Sequence, residues 1–119
     1  MPALTRVLGA ATAAYSVTII AAPKVLAKPC GLTTPAGDVT EEVRTLIGGI
    51  GARDAAIGLA MMFAAPGRPL QVALAARVAS DTADALVFGN GLPDRSARRK
   101  VAIFAVAWAA LCAASALVP

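Results

Sequence analysis

The stretch GGIGARDAAIGLAMM, residues 48–62, decides the fold. Its Gly, Ala, Ile, Leu and Met residues suit a helix buried in lipid or in a tight helical core, yet Arg53 and Asp54 place two full charges at its middle. A charged side chain at the centre of a bilayer costs roughly 2.5 to 3.5 kcal/mol even on the mildest insertion scale, so these two need partners on a neighbouring helix or access to water.

The chain has 119 residues, 58% of them hydrophobic and 15% charged, with a mean hydropathy of +0.71. A water-soluble domain could not cover so much apolar side chain, and the composition points to an integral membrane protein. Aromatic residues make up only 4% while Ala and Gly abound, and small residues let helix backbones approach closely where lipid gives no extra drive to associate. The formal charge is +4 and the pI about 9.7. The basic residues sit at the ends of oily segments, as in loops facing the cytoplasm, which argues against nucleic acid as a partner. The chain has no His, which leaves Asp, Tyr and Arg for acid–base work, and no metal or organic cofactor is expected. Cys30 falls in a loop and Cys112 near the far end of the last segment, too far apart for a disulfide.

Four apolar stretches, 4–22, 45–65, 69–89 and 100–118, each approach the roughly 20 helical residues that cross a hydrocarbon core about 30 Å thick. With their flanking signals they predict helices over about 4–22, 39–65, 69–89 and 96–118 in one domain, residues 1–119: an all-α, antiparallel, up-down four-helix bundle spanning the membrane. The first stretch follows a short basic start, as a signal peptide would, and is read as a retained helix. Pro23 and Pro29 end or kink it. Asp38 and Glu41 have the capping-box spacing for the second helix. Pro66-Gly67 stops that helix, and Pro69 suits the first turn of the third. Asp94 or Ser96 can cap the fourth. Lys24, Lys28, Arg44, Arg95, Arg98, Arg99 and Lys100 fall in or beside the first and third loops, against Arg6 and Arg68 on the other side. This asymmetry places loops 1 and 3 in the cytoplasm, across what is expected to be a bacterial inner membrane. The run RSARRK is an orientation signal or a contact for anionic lipid. Membrane lipid and a second copy of the chain are the expected partners.

The buried charges share one depth. At 1.5 Å per residue, Arg53 and Asp54 lie about 12 to 14 Å below the loop 1 side, with Asp84 about 7 Å, Asp81 about 12 Å and Arg77 about 18 Å down the next helix. Arg77, Asp81 and Asp84 follow i, i+4, i+7 spacing and share a face that must look inward. Depth pairs Arg53 with Asp81 and Asp54 with Arg77. Two arginines face three aspartates, so one carboxyl in surplus is expected to keep its proton, and Asp81 and Asp84 are the pair expected to share it as an acid and a base. Tyr15 and Trp108 reach the same level, about 12 Å from the ends of their helices, as a hydrogen-bond donor and an apolar lid for a substrate, or as packing. Gly48, Gly51, Ala55 and Gly58 form a track of small residues for close helix contact, and Met61 and Met62 are core filler.

The segments GARDAAIGLA, residues 51–60, and RVASDTADAL, residues 77–86, resemble a domain-of-unknown-function family in the broad DoxX-like group of small four-helix membrane proteins. The resemblance rests on a Gly-x-Arg-Asp motif with Gly58 four residues after Asp54, followed by an Arg and an Asp on the next helix. It implies the fold and a membrane location and no activity.

Three functions compete. The Arg53, Asp54, Arg77, Asp81 and Asp84 set has the residue types of small cofactor-free epoxide hydrolases, in which one Asp protonates the epoxide, another activates water and Arg orients them. The first expectation is therefore acid–base catalysis on a lipophilic small molecule, by epoxide hydrolysis, isomerisation or cyclisation. In the second, the charges lock the helices of a structural or partner-binding membrane subunit. In the third, an oligomer forms a transporter or proton relay. A lipophile-sized void against the Asp/Arg layer favours the first, and a closed, tightly packed network the second.

Overall fold

The computed structural model describes residues 2–118. Four long helices, α1 (Pro2–Ala21), α3 (Glu41–Phe63), α4 (Arg68–Gly91) and α5 (Arg95–Ser115), are joined by loops and by one short turn of helix, α2 (Lys24–Ala27). Among the described residues there is no strand. The chain is therefore all-helical as expected, with five helices rather than four. The extra one arises because Pro23, at φ −56° and ψ −25°, keeps a helical backbone while breaking the ladder behind it. It then starts a new turn, with the Ala27 amide donating to the Pro23 carbonyl at 2.9 Å.

The other boundaries shift by a few residues. The second long helix starts at Glu41 rather than near 39, because Thr40 caps it, accepting from the Val43 amide at 3.3 Å. Asp38 instead closes the preceding turn, its amide donating to Thr34 Oγ1 at 3.0 Å. Asp94 caps α5 as anticipated, accepting from the Ala97 amide at 3.1 Å. Between α3 and α4, Gly67 at φ 93° supplies the left-handed residue of the turn. At that end Arg6 also reaches across from α1, and its Nη1 donates to the carbonyls of Met61, Met62 and Ala64 at 3.2, 2.9 and 2.7 Å. These carbonyls lie at the last turn of α3, where backbone acceptors run out of helical partners.

The long helices associate as two tight antiparallel pairs, α1 with α3 and α4 with α5, linked through α3 and α4. Glycine sets the first pair. A Cβ on Gly58 would stand 2.8 Å from both the Ala13 amide nitrogen and the Gly9 carbonyl oxygen, and one on Gly51 would stand 3.0 Å from the Ser16 carbonyl. Only the missing side chains allow the two backbones to come so close. Gly48, which has nothing within 4 Å of the same position, is not part of this contact. Met61 is fully buried between Leu8, Leu74 and Cys112. At the other end, Cys30 of the first loop packs with Leu92 and Ala97, so loops 1 and 3 share one end of the molecule. Both cysteines are free and buried, and burial pushes the Cys30 thiol pKa up.

Polar side chains are buried alongside the apolar core while large apolar ones stay exposed. Thr5, Thr12, Ser16, Arg77, Asp81 and Ser115 are buried, whereas Leu46, Phe63, Val72, Leu86, Phe104 and Leu117 are each more than 60% exposed. Such apolar faces appear on every long helix. Two segments, Ala3–Ala21 and Glu41–Phe63, are long and apolar enough to cross a membrane. In α4 the same length is interrupted by Arg68, Arg77, Asp81 and Asp84, and in α5 the first turns carry Arg95, Arg98, Arg99 and Lys100.

Candidate functional site

The five charged residues meet where α3 crosses α4. Arg53 forks onto Asp84, Nη1 donating to Oδ1 at 3.2 Å and Nη2 to Oδ2 at 2.7 Å. Its Nε donates to Asp54 Oδ1 at 2.9 Å. The same Asp54 oxygen accepts from Arg77 Nη2 at 3.1 Å. Arg77 in turn clasps Asp81, with Nη2 to Oδ1 at 2.7 Å and Nε to Oδ2 at 3.1 Å. The result is a chain of alternating sign, Asp84–Arg53–Asp54–Arg77–Asp81, in which forked guanidinium–carboxylate pairs fix direction as well as distance. Its two arginines differ in burial, the Arg77 side chain being 2% exposed and that of Arg53 38%.

Depth matching anticipated the Asp54–Arg77 pair, but not the partner of Arg53. Asp81 is already held by Arg77, one helical turn earlier on the same face. Arg53 therefore extends toward the loop end and takes Asp84, a step of about 5 Å that a stretched arginine spans. This also separates the two carboxyls expected to share a proton. Asp81 and Asp84 do share a face, yet each is held on both oxygens by a different arginine, Asp81 by Arg77 and Asp84 by Arg53.

Two polar atoms remain open. Asp54 Oδ2 accepts nothing and Arg77 Nη1 donates to nothing among the described residues. No fully buried side-chain nitrogen or oxygen lacks a partner there, so both atoms must reach accessible space. Asp54 and Arg77 both line a half-open cavity of about 660 Å³, together with Asp81 and Asp84. Its volume lies within the roughly 300 to 1,000 Å³ of small-molecule sites. Arg53, on the outer side of the network, does not line it.

Tyr15 and Trp108, expected at this depth, both line the cavity. Trp108 is fixed from two sides: it stacks on Phe104, ring centroids 6.4 Å apart and 6° from parallel, and its Nε1 donates to Thr12 Oγ1 at 3.3 Å. The remaining wall is mostly apolar and includes Ile19, Leu26, Ile50, Phe88 and Val101, with Lys100 the one cation besides Arg77. Thr12, Ser16 and Lys100 were not anticipated as parts of the site. The signal for the first two was present: Thr5, Thr12 and Ser16 recur at i, i+7 and i+11 in an otherwise oily helix, one inward face. Ser16 Oγ donates to the Thr12 carbonyl at 2.6 Å, which keeps its own polarity satisfied within α1. No family model, curated protein or solved structure matches the chain.

Proposed function

We propose that the protein is a four-span integral membrane protein that binds a lipophilic small molecule in this cavity and acts on it by acid–base catalysis. The observation that carries the proposal is the meeting of an apolar cavity with an ion layer that leaves one carboxylate oxygen, Asp54 Oδ2, and one guanidinium nitrogen, Arg77 Nη1, without protein partners. A network serving structure alone has no need of an adjoining void. The membrane assignment is supported by the exposed apolar faces on every long helix and by the charged pair Arg77 and Asp81 buried inside, which suits lipid rather than water as solvent. The Gly-x-Arg-Asp motif supports placing the chain in the DoxX-like group, and the cation asymmetry supports cytoplasmic loops 1 and 3.

The chemistry that fits is epoxide opening, with isomerisation and cyclisation as neighbouring reactions. Asp54 Oδ2 takes a proton from water as the water oxygen bonds to an epoxide carbon. The carbon–oxygen bond breaks, Arg77 Nη1 stabilises the alkoxide, and the proton held by Asp54 passes to it, so epoxide plus water gives diol with no further reactant. Asp81 and Asp84 act as positioning residues that hold the two guanidinium groups. Tyr15 adds a phenolic hydroxyl to the cavity wall.

The test is turnover of a library of lipophilic epoxides and alkenes by purified protein beside Asp54→Asn. The amide is nearly isosteric and keeps an oxygen for the two arginines, so the fold should persist while turnover falls by about 100-fold or more. An Asp54→Asn variant as active as the wild type would remove Asp54 from the mechanism.

A further inference from the structure

We propose that the substrate is a single-chain carboxylic acid whose reacting group lies about ten carbons from its carboxylate, with Lys100 as the head-group anchor; this names the substrate class of the acid–base reading above and rests on it. Lys100 lines the cavity at the start of α5, beside Val101 and Phe104. It takes part in no ion pair among the described residues. An unpaired cation at the edge of an apolar cavity favours an anion there, where the ammonium can stay partly hydrated while its stem lies along apolar surface. Trp108, at the level of the ion layer, follows eight residues later on the same helix, which sets the two ends of the site about 12 Å apart, the length of an extended chain of about ten carbons. Between them the walls are alkyl and aromatic, from Ile19, Leu26, Phe88 and Phe104. A volume of about 660 Å³ accommodates one such chain with its reacting group. The second chain of a diacyl lipid would have to stay outside the cavity. Lys100 also belongs to the basic end of the molecule, where a carboxylate in a membrane lies at the interface with its tail pointing inward.

Trp108 is the sole tryptophan, so its fluorescence reports the cavity. The probe is ω-bromododecanoate, whose bromine quenches tryptophan on contact, titrated into the full chain in detergent beside ω-bromododecanol. Wild type should show saturable quenching by the carboxylate and about tenfold weaker quenching by the alcohol. Lys100→Gln should weaken the carboxylate about tenfold and leave the alcohol unchanged, while Arg99→Gln, at an exposed cation outside the cavity, should change neither. Equal affinity for acid and alcohol, quenching that never saturates, or equal losses in the two variants would overturn the proposal. Excess dioleoyl phosphatidylglycerol should fail to displace the probe, and displacement would assign the cavity to a membrane lipid instead. Undiminished Lys100-dependent binding by a protein inert toward epoxides and alkenes would refute the reaction and not the ligand class.

Discussion

Replacing Arg77 by Ala tests whether the ion layer holds the helices together. Arg77 is 2% exposed and makes three hydrogen bonds to two carboxylates on different helices. Its removal leaves Asp81 with no donor and Asp54 with Arg53 alone. Losing one partner of a buried pair costs about 3 to 5 kcal/mol, and that is the loss expected here. Arg53→Ala should be milder, at about 1 to 2 kcal/mol, because its side chain is 38% exposed and water can reach Asp84. Arg68→Ala, at an exposed turn with no ion pair among the described residues, should stay within about 0.5 kcal/mol of wild type. Helix content followed by circular dichroism, during denaturation of detergent-solubilised protein with sodium dodecyl sulfate, gives the ranking. Arg77→Ala indistinguishable from Arg68→Ala, or less damaging than Arg53→Ala, would refute the assignment of the more buried part of the network to Arg77.

Other outcomes follow from the same geometry. Gly58→Val should destabilise by about 1 to 3 kcal/mol or more, since even its Cβ would meet α1 backbone at 2.8 Å; Gly48→Ala, with open space around it, should stabilise by about 0.5 to 1 kcal/mol in the same assay. Cys30 is 2% exposed and burial raises its thiol pKa, so its thiolate form is scarce below the raised pKa and increases only as pH rises through it. Alkylation in detergent near neutral pH should be much slower at Cys30 than at an exposed Ser96→Cys, and comparable rates would contradict its packing against Leu92 and Ala97. The same Ser96→Cys tests the orientation: it should resist an impermeant thiol reagent in intact cells while Arg68→Cys reacts, and the reverse pattern would invert the assignment.

Much of the helical arrangement was legible because the strongest signals were local. Proline and glycine punctuate the chain at Pro23, at Pro66-Gly67 and after Gly91, and the long helices stop there. The inward face of α4 followed from the spacing of Arg77, Asp81 and Asp84 alone. Depth counting then brought Asp54 to Arg77 and set Tyr15 and Trp108 at the cavity level. What it could not resolve was reach. An arginine side chain covers about one helical turn, so Arg53 had Asp81 and Asp84 both within range, and the choice was made by competition from Arg77. Pro23 misled in another way: a proline that ends one helix can open the next, and α2 depends on Ala27 finding a buried seat against Ile19 and Ile47. The cavity itself depends on the two helix pairs meeting mainly through α3 and α4, a tertiary feature with no local signature. Lys100 stood out in the sequence only as one cation in the basic run that marks a loop.

The central claim is that Asp54, in the wall of the cavity, is the proton acceptor in a reaction on a lipophilic molecule. Single-turnover hydrolysis of a long-chain epoxy acid by purified wild-type protein and by Asp54→Asn, in water enriched in heavy oxygen, tests it most directly. The account predicts a diol carrying one labelled oxygen from the wild type, and from a folded Asp54→Asn a rate lower by about 100-fold or more. Equal rates from the two proteins, or a wild type inert across the epoxide and alkene library, would contradict it.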